Sequence, residues 1–233
     1  MTQVLGVDGC KGGWFSVSRN IEDRQLSSEL LISFQDVISE KSKIIAVDIP
    51  IGFLDKAQKG GRACDKQARE VLGWPRQNSI FSPPVRGALE CLAYEDALKA
   101  NKRSSPEGIG ISRQSFGLIN KLREADALMT PSLQRRVRES HPELCFTKLN
   151  GEPIKQSKKT PEGSAIRKRL LKTVGFEEVI SNVSYPRSKV QPDDILDACV
   201  LCWMAERIRM NEAKTLSSDP AQDSKGLRME IWF

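Results

Sequence analysis

The feature that most constrains the fold is an almost wholly apolar segment, late in the chain, that opens with two aspartates. Asp194 and Asp197 stand in DDILDACVLCWMA, and Asp197 is the only charged residue between Ile195 and Ala205. Pro192 just before them is typical of a helix start, and spacing i, i+3 places both carboxylates on one helix face. A helix that is apolar around most of its circumference is buried, and carboxylates are rarely buried unless they are paired or bound to a metal. The chain therefore carries negative charge into its interior, where a positive group is expected.

Helix capping is the alternative explanation for this pair. Asp193 or Asp194 would cap the helix, and Asp197 would interact with the positive end of the helix dipole. Capping explains one carboxylate well and the second adequately. The choice between capping and a metal site therefore depends on where the other isolated carboxylates fall.

The whole chain is typical of a soluble cytoplasmic protein. Its 233 residues can bury a full core, and we expect a single domain over 1–233 with a helical or loop insertion at about 52–135. No apolar stretch is long enough to span a bilayer, and the N-terminus lacks the features of a signal segment. The six scattered cysteines are interpreted as small buried hydrophobic residues in a reducing compartment.

Apolar runs and turns predict a mixed α/β architecture. VLGVD, WFSVS and QLSSELLIS are three candidate strands, FQDVISEK an amphipathic helix and KIIAVDIP a fourth strand. ALECLAYEDALKA and GLINKLREADALM are helical stretches within the insertion. RRVRESHPELCFTKLN is interpreted as a return strand, GSAIRKRLLKTVG as a helix, and 194–210 as the apolar helix.

Two further aspartates end apolar strands. Asp8 precedes glycines and Asp48 precedes Pro50. If their strands are adjacent, both carboxylates emerge at one edge of the sheet, where a packed helix would add Asp194 and Asp197. Converging carboxylates stay ionised only with cations between them, and oxygen ligands select Mg²⁺ or Mn²⁺. Two such ions about 3.5–4 Å apart are a standard device for in-line phosphodiester cleavage.

These motifs resemble known families. Asp8 on the first strand and a late D-x-x-D-A helix resemble the ribonuclease H-like superfamily, and within it the Holliday-junction resolvases. GVDGCKGGW, DIPIG, GRACDKQAR, SIFSPP, ESHPELCF, LNG, DDILDA and EIWF are similar to a prokaryotic family of unknown function whose members are predicted nucleases of ribonuclease H-like fold. The resemblance runs from about residue 5 to the end. It implies a mixed five-stranded sheet flanked by helices, and a metal-dependent nuclease acting by a two-metal mechanism.

The resemblance assigns roles to particular residues. Asp8 matches the first-strand aspartate that contacts both metal ions, and Asp194 and Asp197 match the helix pair. Asp48 lies where resolvases usually have Glu, and its shorter side chain alters the reach to a metal. The alternative second carboxylate is Glu139, on a predicted strand with His141, the only histidine. His141 would orient water or transfer a proton, or else be a hydrogen-bonded structural residue.

A basic middle region is expected to bind the substrate. Residues 51–170 hold 23 Lys and Arg against 13 Asp and Glu, whereas the rest holds 13 against 17. This asymmetry suits a polyanion, RNA or DNA, cleaved at an acidic site. The alternative is an ordinary surface of paired charges. Trp74 and Phe81 are interpreted as core residues, with base stacking as the alternative. The candidate substrate-binding residues are Arg62, Lys66, Arg69, Arg76 and Arg86.

Two other functions are compatible with the sequence. A nucleic-acid-binding module without catalysis would keep the basic region. An ATP-binding phosphotransferase of the actin and sugar-kinase type would use the turn at Asp8-Gly9 and Gly12-Gly13 for phosphate, but such enzymes need a second glycine-rich hairpin, which we do not find. A homodimer is possible, by analogy with resolvases.

Overall fold

Residues 2–233 are described by a computed structural model, in which a five-stranded sheet has helices on both faces. The strands are β1 (Gln3–Cys10), β2 (Gly13–Asn20), β3 (Leu26–Leu31), β4 (Ile44–Val47) and β5 (Val137–Glu139). The α-helices of the described residues are α1 (Phe34–Ser39), α2 (Ala63–Leu72), α3 (Tyr94–Arg103), α4 (Arg113–Gly117), α5 (Ile119–Leu128), α6 (Pro142–Asn150), α7 (Pro161–Thr173), α8 (Glu177–Asn182) and α9 (Pro192–Arg209). Short 3₁₀ helices lie at Arg76–Ser79, Arg86–Ala88 and Leu133–Arg135.

The sheet is mixed, with strand order β3-β2-β1-β4-β5. Strands β1, β2 and β3 form an antiparallel meander, whereas β4 pairs parallel to β1, and β5 pairs parallel to β4. The predicted order of three strands, a helix and a fourth strand is confirmed, as is the α/β class with a mixed five-stranded sheet. The parallel pairing brings the carboxyl ends of β1, β4 and β5 to one edge.

Alternation along β1 assigns its side chains to two cores. Leu5 and Val7 pack into one core together with residues of α1 and α5. Val4 packs into the other core, which is formed largely by α9. Because successive strand residues point to opposite faces, Gly6 and Asp8 share the α9 face with Val4.

Helix α9 crosses β1 in direct contact with Gly6. A Cβ at position 6 would lie 2.0 Å from the Cys202 backbone nitrogen and 2.3 Å from the Ala198 carbonyl oxygen. Only glycine permits this approach, since any side chain would meet the helix backbone. Gly6 therefore sets the separation between Asp8, two residues along β1, and Asp197, next to Ala198 on α9.

The predicted return strand over 135–150 is mostly wrong. β5 covers only Val137–Glu139, and α6 begins at Pro142. His141 is the N-cap of α6, so it does not lie on a strand as expected. Proline at the first helical position is preorganised for a helix, which favours a start there over a continued strand.

All six cysteines lie among the described residues and are free, and Cys91 alone is not buried, which confirms their interpretation as small apolar residues. Within residues 2–233, the structure has no helix that combines the length and the apolar character needed to cross a bilayer.

Candidate active site

Two strand-end aspartates form the base of the candidate site. The Asp48 backbone N–H donates a hydrogen bond to the Val7 carbonyl oxygen at 3.0 Å, one residue beyond the paired Val7 and Val47. Alternation places Asp8 and Asp48 on the α9 face of neighbouring parallel strands. Asp8 is buried, with 6% of its surface exposed. The two strands are thus adjacent, which is the condition for both aspartates to emerge at one edge of the sheet.

Asp197 adds a third carboxylate from the first turns of α9. It is 1% exposed, and its Oδ2 accepts a hydrogen bond from the Lys158 ammonium. Its Oδ1 is buried and has no hydrogen-bond partner among the described residues. A buried carboxylate oxygen without a partner is costly, so this atom marks a place where a further positive group or donor fits.

The three carboxylates interact electrostatically. Burial raises the pKa of Asp8 well above its usual value, and the charges of Asp197 and Asp48 raise it further. Burial, followed by the charge of Asp197, raises the pKa of Asp48 to about 7. Mutual repulsion of this kind requires the groups to lie near one another. The structure therefore brings Asp8, Asp48 and Asp197 together, and Asp194 adds a smaller contribution to the raised pKa of Asp8.

Lys158 is the positive group that faces these acids. Its ammonium bonds Asp197 and lies 3.5 Å from the Asp193 carboxylate. Burial opposes its charge, but Asp197 and Asp8 raise the pKa of Lys158 above its usual value, so it is a cation at neutral pH. Lys158 lies in the loop between α6 and α7. Gly163 of α7 contacts this loop so closely that an added Cβ would lie 2.0 Å from the Ser157 carbonyl oxygen.

Asp194 has a different environment. Its Oδ2 accepts a hydrogen bond from the Gln191 N–H at 2.7 Å, which completes a capping box at the start of α9. Burial raises its pKa. Asp194 lines a groove beside the β1–β2 hairpin, rather than the cavity at Asp8 and Asp48. The capping explanation therefore accounts for Asp194, but not for Asp197.

A cavity of about 280 Å³ opens beside the acids. Asp8 and Asp48 lie on its wall, and the loop with Lys158 contributes a second side. The remaining side comes from the predicted insertion, through Arg76, Ser79, Phe81, Gln114, Leu118 and Lys121. The cavity wall thus combines the strand-end carboxylates with the cations Arg76, Lys121 and Lys158.

His141 and Glu143 complete the lining at the start of α6. Burial lowers the pKa of His141 to about 4, so the ring is neutral at pH 7. Its Nδ1 accepts a hydrogen bond from the Glu143 N–H at 3.2 Å, which leaves the proton on Nε2. Both Glu143 oxygens accept from the Arg167 Nη2, at 2.8 and 2.7 Å, so this carboxylate is fixed by a buried pair.

Glu139, the alternative second ligand, is held in a separate ion-pair network. It accepts two hydrogen bonds from Arg62, at 2.8 and 2.5 Å, and one from the Ile51 N–H at 2.7 Å. Arg62 also pairs with Asp65 at 2.7 Å and is 2% exposed. These contacts occupy both groups, and they fix the segment after β4 against β5.

The other predicted substrate-binding residues divide into three environments. Arg69 donates to the carbonyl oxygens of Ile80 and Gly60, and Arg86 pairs with Asp126 at 2.5 Å and with Asp223. Lys66 is exposed on α2. Arg76 lines the cavity, and its buried Nε has no partner among the described residues. Of the five predicted residues, Arg76 alone lines the cavity that contains Asp8 and Asp48.

Sequence reasoning missed Lys158 and Glu143. Lys158 is one of three lysines in a polar loop, and no pattern distinguishes it from its neighbours. Glu143 follows a proline at a helix start, where an acid is ordinary. The core interpretation of Trp74 is wrong, since 76% of its surface is exposed, and Phe81 is half-buried in the cavity wall.

The carboxylate oxygens of Asp8, Asp48 and Asp197 are of the ligand type that hard divalent cations prefer. Among residues 2–233, the His, Cys, Asp and Glu side chains form no group of three or more that could hold a metal ion as they stand. Lys158 supplies the positive charge at Asp197 in this arrangement. The unpartnered Asp197 Oδ1 and the raised pKa values of Asp8 and Asp48 are the features that a bound cation would relieve.

Fold and site together define an α/β protein with a mixed sheet, in which two strand-end carboxylates line a small cavity and one helix carboxylate lies beside them. A family model described as "Protein of unknown function (DUF429)" matches residues 6–222, so the chain belongs to that family. Asp8, Asp48, Lys158 and Asp197 all fall within the matched residues. No curated protein and no solved structure matches the chain.

Proposed function

We propose that this protein is a divalent-metal-dependent nuclease of ribonuclease H-like fold, which hydrolyses phosphodiester bonds of RNA or DNA by a two-metal mechanism. The observation that carries the proposal is the unpartnered, buried Oδ1 of Asp197, beside Asp8 and Asp48, whose pKa values are raised by burial and by the charge of Asp197. An enzyme keeps such destabilising groups where they serve its chemistry. The observed strand order is consistent with the proposed fold.

The proposed ligands of the metal are Asp8, Asp48 and Asp197, with Asp194 at the edge of the site. Oxygen-only ligands favour Mg²⁺ or Mn²⁺. When bound, such ions would activate the attacking water and stabilise the leaving oxygen. Lys158 would then exchange its contact with Asp197 for the phosphate or solvent, because the carboxylate would have a new cationic partner.

The remaining cavity residues would act on the substrate. Arg76 has an unpartnered guanidinium nitrogen and lines the same cavity as the acids, so it would bind a phosphate oxygen. His141 is neutral at pH 7 and holds its proton on Nε2, next to the Ser79 backbone, so it would act as a neutral polar group and not as a cation toward the substrate. The Arg167 pair orients Glu143, which keeps that carboxylate from competing for the phosphate site.

The test compares cleavage of labelled single-stranded, duplex, hybrid and branched nucleic acids in Mn²⁺. We expect the wild type to cleave at least one substrate, and Asp8→Asn and Asp197→Asn to lose that activity by about 10²-fold or more. Asp36→Asn is the matched control, since this exposed aspartate lies on α1, in a capping box with Ser33. Cleavage that survives both site substitutions would arise from a contaminant and would remove the proposal.

Metal binding provides a readout that does not depend on turnover. We expect Mn²⁺ to raise the melting temperature of the wild type, through binding to the folded state alone, and to raise that of Asp197→Asn much less. Equal stabilisation of both proteins would place the metal elsewhere.

A nucleic-acid-binding module without catalysis is the second candidate. The observation that favours it is the ion pair between Lys158 and Asp197, which partly neutralises the acids without a metal. In that case Asp8→Asn leaves nucleic-acid affinity unchanged, and the wild type cleaves none of the substrates.

A further inference from the structure

The segment between α2 and the cavity displays an unusual pair of aromatic residues. Trp74 is 76% exposed, although it is the largest kind of side chain and normally packs at least in part. Phe81, seven residues later, is half-buried and lines the cavity. Between them, Arg76 lines the same cavity with a buried Nε that no described residue satisfies.

The backbone around Trp74 is fixed by hydrogen bonds. The Gly73 N–H donates to the Arg69 carbonyl oxygen at 2.9 Å and closes the end of α2. The Gln77 N–H donates to the Gly73 carbonyl oxygen at 2.7 Å and opens the 3₁₀ helix. Arg69 in turn anchors the segment through Ile80 and Gly60. The indole is therefore presented to solvent on an ordered turn, at little further entropic cost on binding.

The size and depth of the cavity restrict what reaches the acids. Its volume of about 280 Å³ is just below the range for small-molecule sites, about 300–1,000 Å³. Asp8 is 6% exposed and lies on the cavity wall, so a phosphate must enter the cavity to approach it. A rigid duplex keeps its phosphates on the outside of a wide rod, whereas an unpaired strand can bend one nucleotide inward.

We propose that the substrate is single-stranded nucleic acid, with Arg76 binding a phosphate and Trp74 and Phe81 stacking on unpaired bases. This inference rests on the proposed nuclease function and adds the substrate class. Trp74 and Arg76 are separated in the chain by Pro75 alone, so their Cα atoms lie within about 7 Å of each other. One nucleotide of an extended strand spans this interval. A cation next to aromatic rings that bases can reach is the combination that binds single strands without sequence preference.

Binding is measured by fluorescence anisotropy with a short labelled single strand and with the duplex of the same sequence, in EDTA so that no cleavage occurs. We expect the single strand to bind more tightly than the duplex. Trp74→Ala should raise the Kd for the single strand about 5- to 100-fold, because one stacked base is lost. Trp74→Phe keeps an aromatic face and should raise it less than about 5-fold.

The matched control is Leu92→Ala, which truncates another exposed apolar side chain, 86% exposed, just before α3. It should leave the Kd unchanged. A second readout is tryptophan fluorescence, which a stacked base quenches. Quenching by the single strand should be smaller in Trp74→Phe, which retains Trp14, Trp203 and Trp232. A purely structural role of Trp74 would not produce this difference.

Three outcomes would overturn the inference: equal affinity for duplex and single strand, equal Kd values for Trp74→Ala and Leu92→Ala, or no binding of the single strand at all. The last outcome would assign the Trp74 face to a different partner, such as another protein. Failure of the nuclease proposal is distinct, since it would show as Trp74-dependent binding without cleavage. Cleavage that depends on Asp8, with binding that ignores Trp74, would remove only the substrate assignment.

Discussion

Replacing Asp48 with asparagine should stabilise the protein at alkaline pH. The native carboxyl group has a pKa of about 7, because burial and the charge of Asp197 disfavour its ionised form. In the unfolded chain the pKa is near 3.8. At pH values between these two pKa values the native state holds more protons than the unfolded state, so the free energy of unfolding falls as pH rises. Asparagine has no proton to lose, and the Asp48→Asn variant lacks this fall.

The size of the effect follows from the difference in pKa. A rise from 3.8 to about 7 is about 3 units, and at about 1.4 kcal/mol per unit the ceiling is about 4 kcal/mol. Asp48 is half-buried and Lys158 offsets part of the repulsion, so solvent screening and this cation reduce the effect. We expect Asp48→Asn to exceed the wild type by about 2 kcal/mol near pH 8, and to match it near pH 4.

The assay is urea unfolding with EDTA present, followed by tryptophan fluorescence at several pH values between about 4 and 8. Asp36→Asn is the control with the opposite sign. Hydrogen bonds from the Ser33 side chain and backbone lower the pKa of Asp36, so its contribution is present above its unfolded pKa and is lost as pH falls. If Asp48→Asn is no more stable than the wild type near pH 8, the electrostatic description of the site is incorrect.

Three further predictions concern the packing and charges that position the site. Gly6→Ala should lower the free energy of unfolding by about 3 kcal/mol or more, because its Cβ would lie 2.0 Å from the Cys202 nitrogen on α9. The control is Gly87→Ala, whose Cβ meets nothing within 4 Å, and equal urea midpoints for the two variants would contradict the close packing at Gly6. Arg62→Met should cost about 3–5 kcal/mol, because it leaves Glu139 buried without its partner; Lys66→Met on the exposed face of α2 should change stability by less than about 0.5 kcal/mol in the same denaturation experiment. Lys158→Met should lower the free energy of unfolding near pH 8 by about 1–3 kcal/mol, and by less near pH 5, where protonation of Asp48 removes part of the repulsion between the carboxylates. An equal loss of stability at both pH values would show that Lys158 contributes through packing and not through its charge.

Local patterns in the sequence predicted most of the elements that support the site. Alternation and turns gave the β1–β2–β3 meander and β4, and the buried, apolar character of 192–209 gave α9. The failure over 135–150 has a local cause, since apolar residues in a short run fit a strand and a helix equally. The start of α6 at Pro142 decided between them.

The candidate site was predictable to the extent that it depends on strand ends. Asp8 and Asp48 end neighbouring parallel strands, and parallel strands place such residues at one edge. The basic residues were not predictable in this way, because an arginine in a loop can face a cavity or bind a backbone carbonyl. Arg76 does the first and Arg69 the second, although both come from one basic segment.

The sequence by itself determined the α/β class, the family, and the presence of isolated acids at the ends of apolar elements, because these depend on the local period of apolar residues and on motifs. Only the tertiary structure decided that Asp197 faces Asp8 across the Gly6 contact, while Asp194 completes a capping box. The same holds for Lys158, which reaches Asp197 from a loop 39 residues earlier. Such pairings depend on how distant segments pack, and the residues next to a position in the sequence do not indicate which distant residue it will contact.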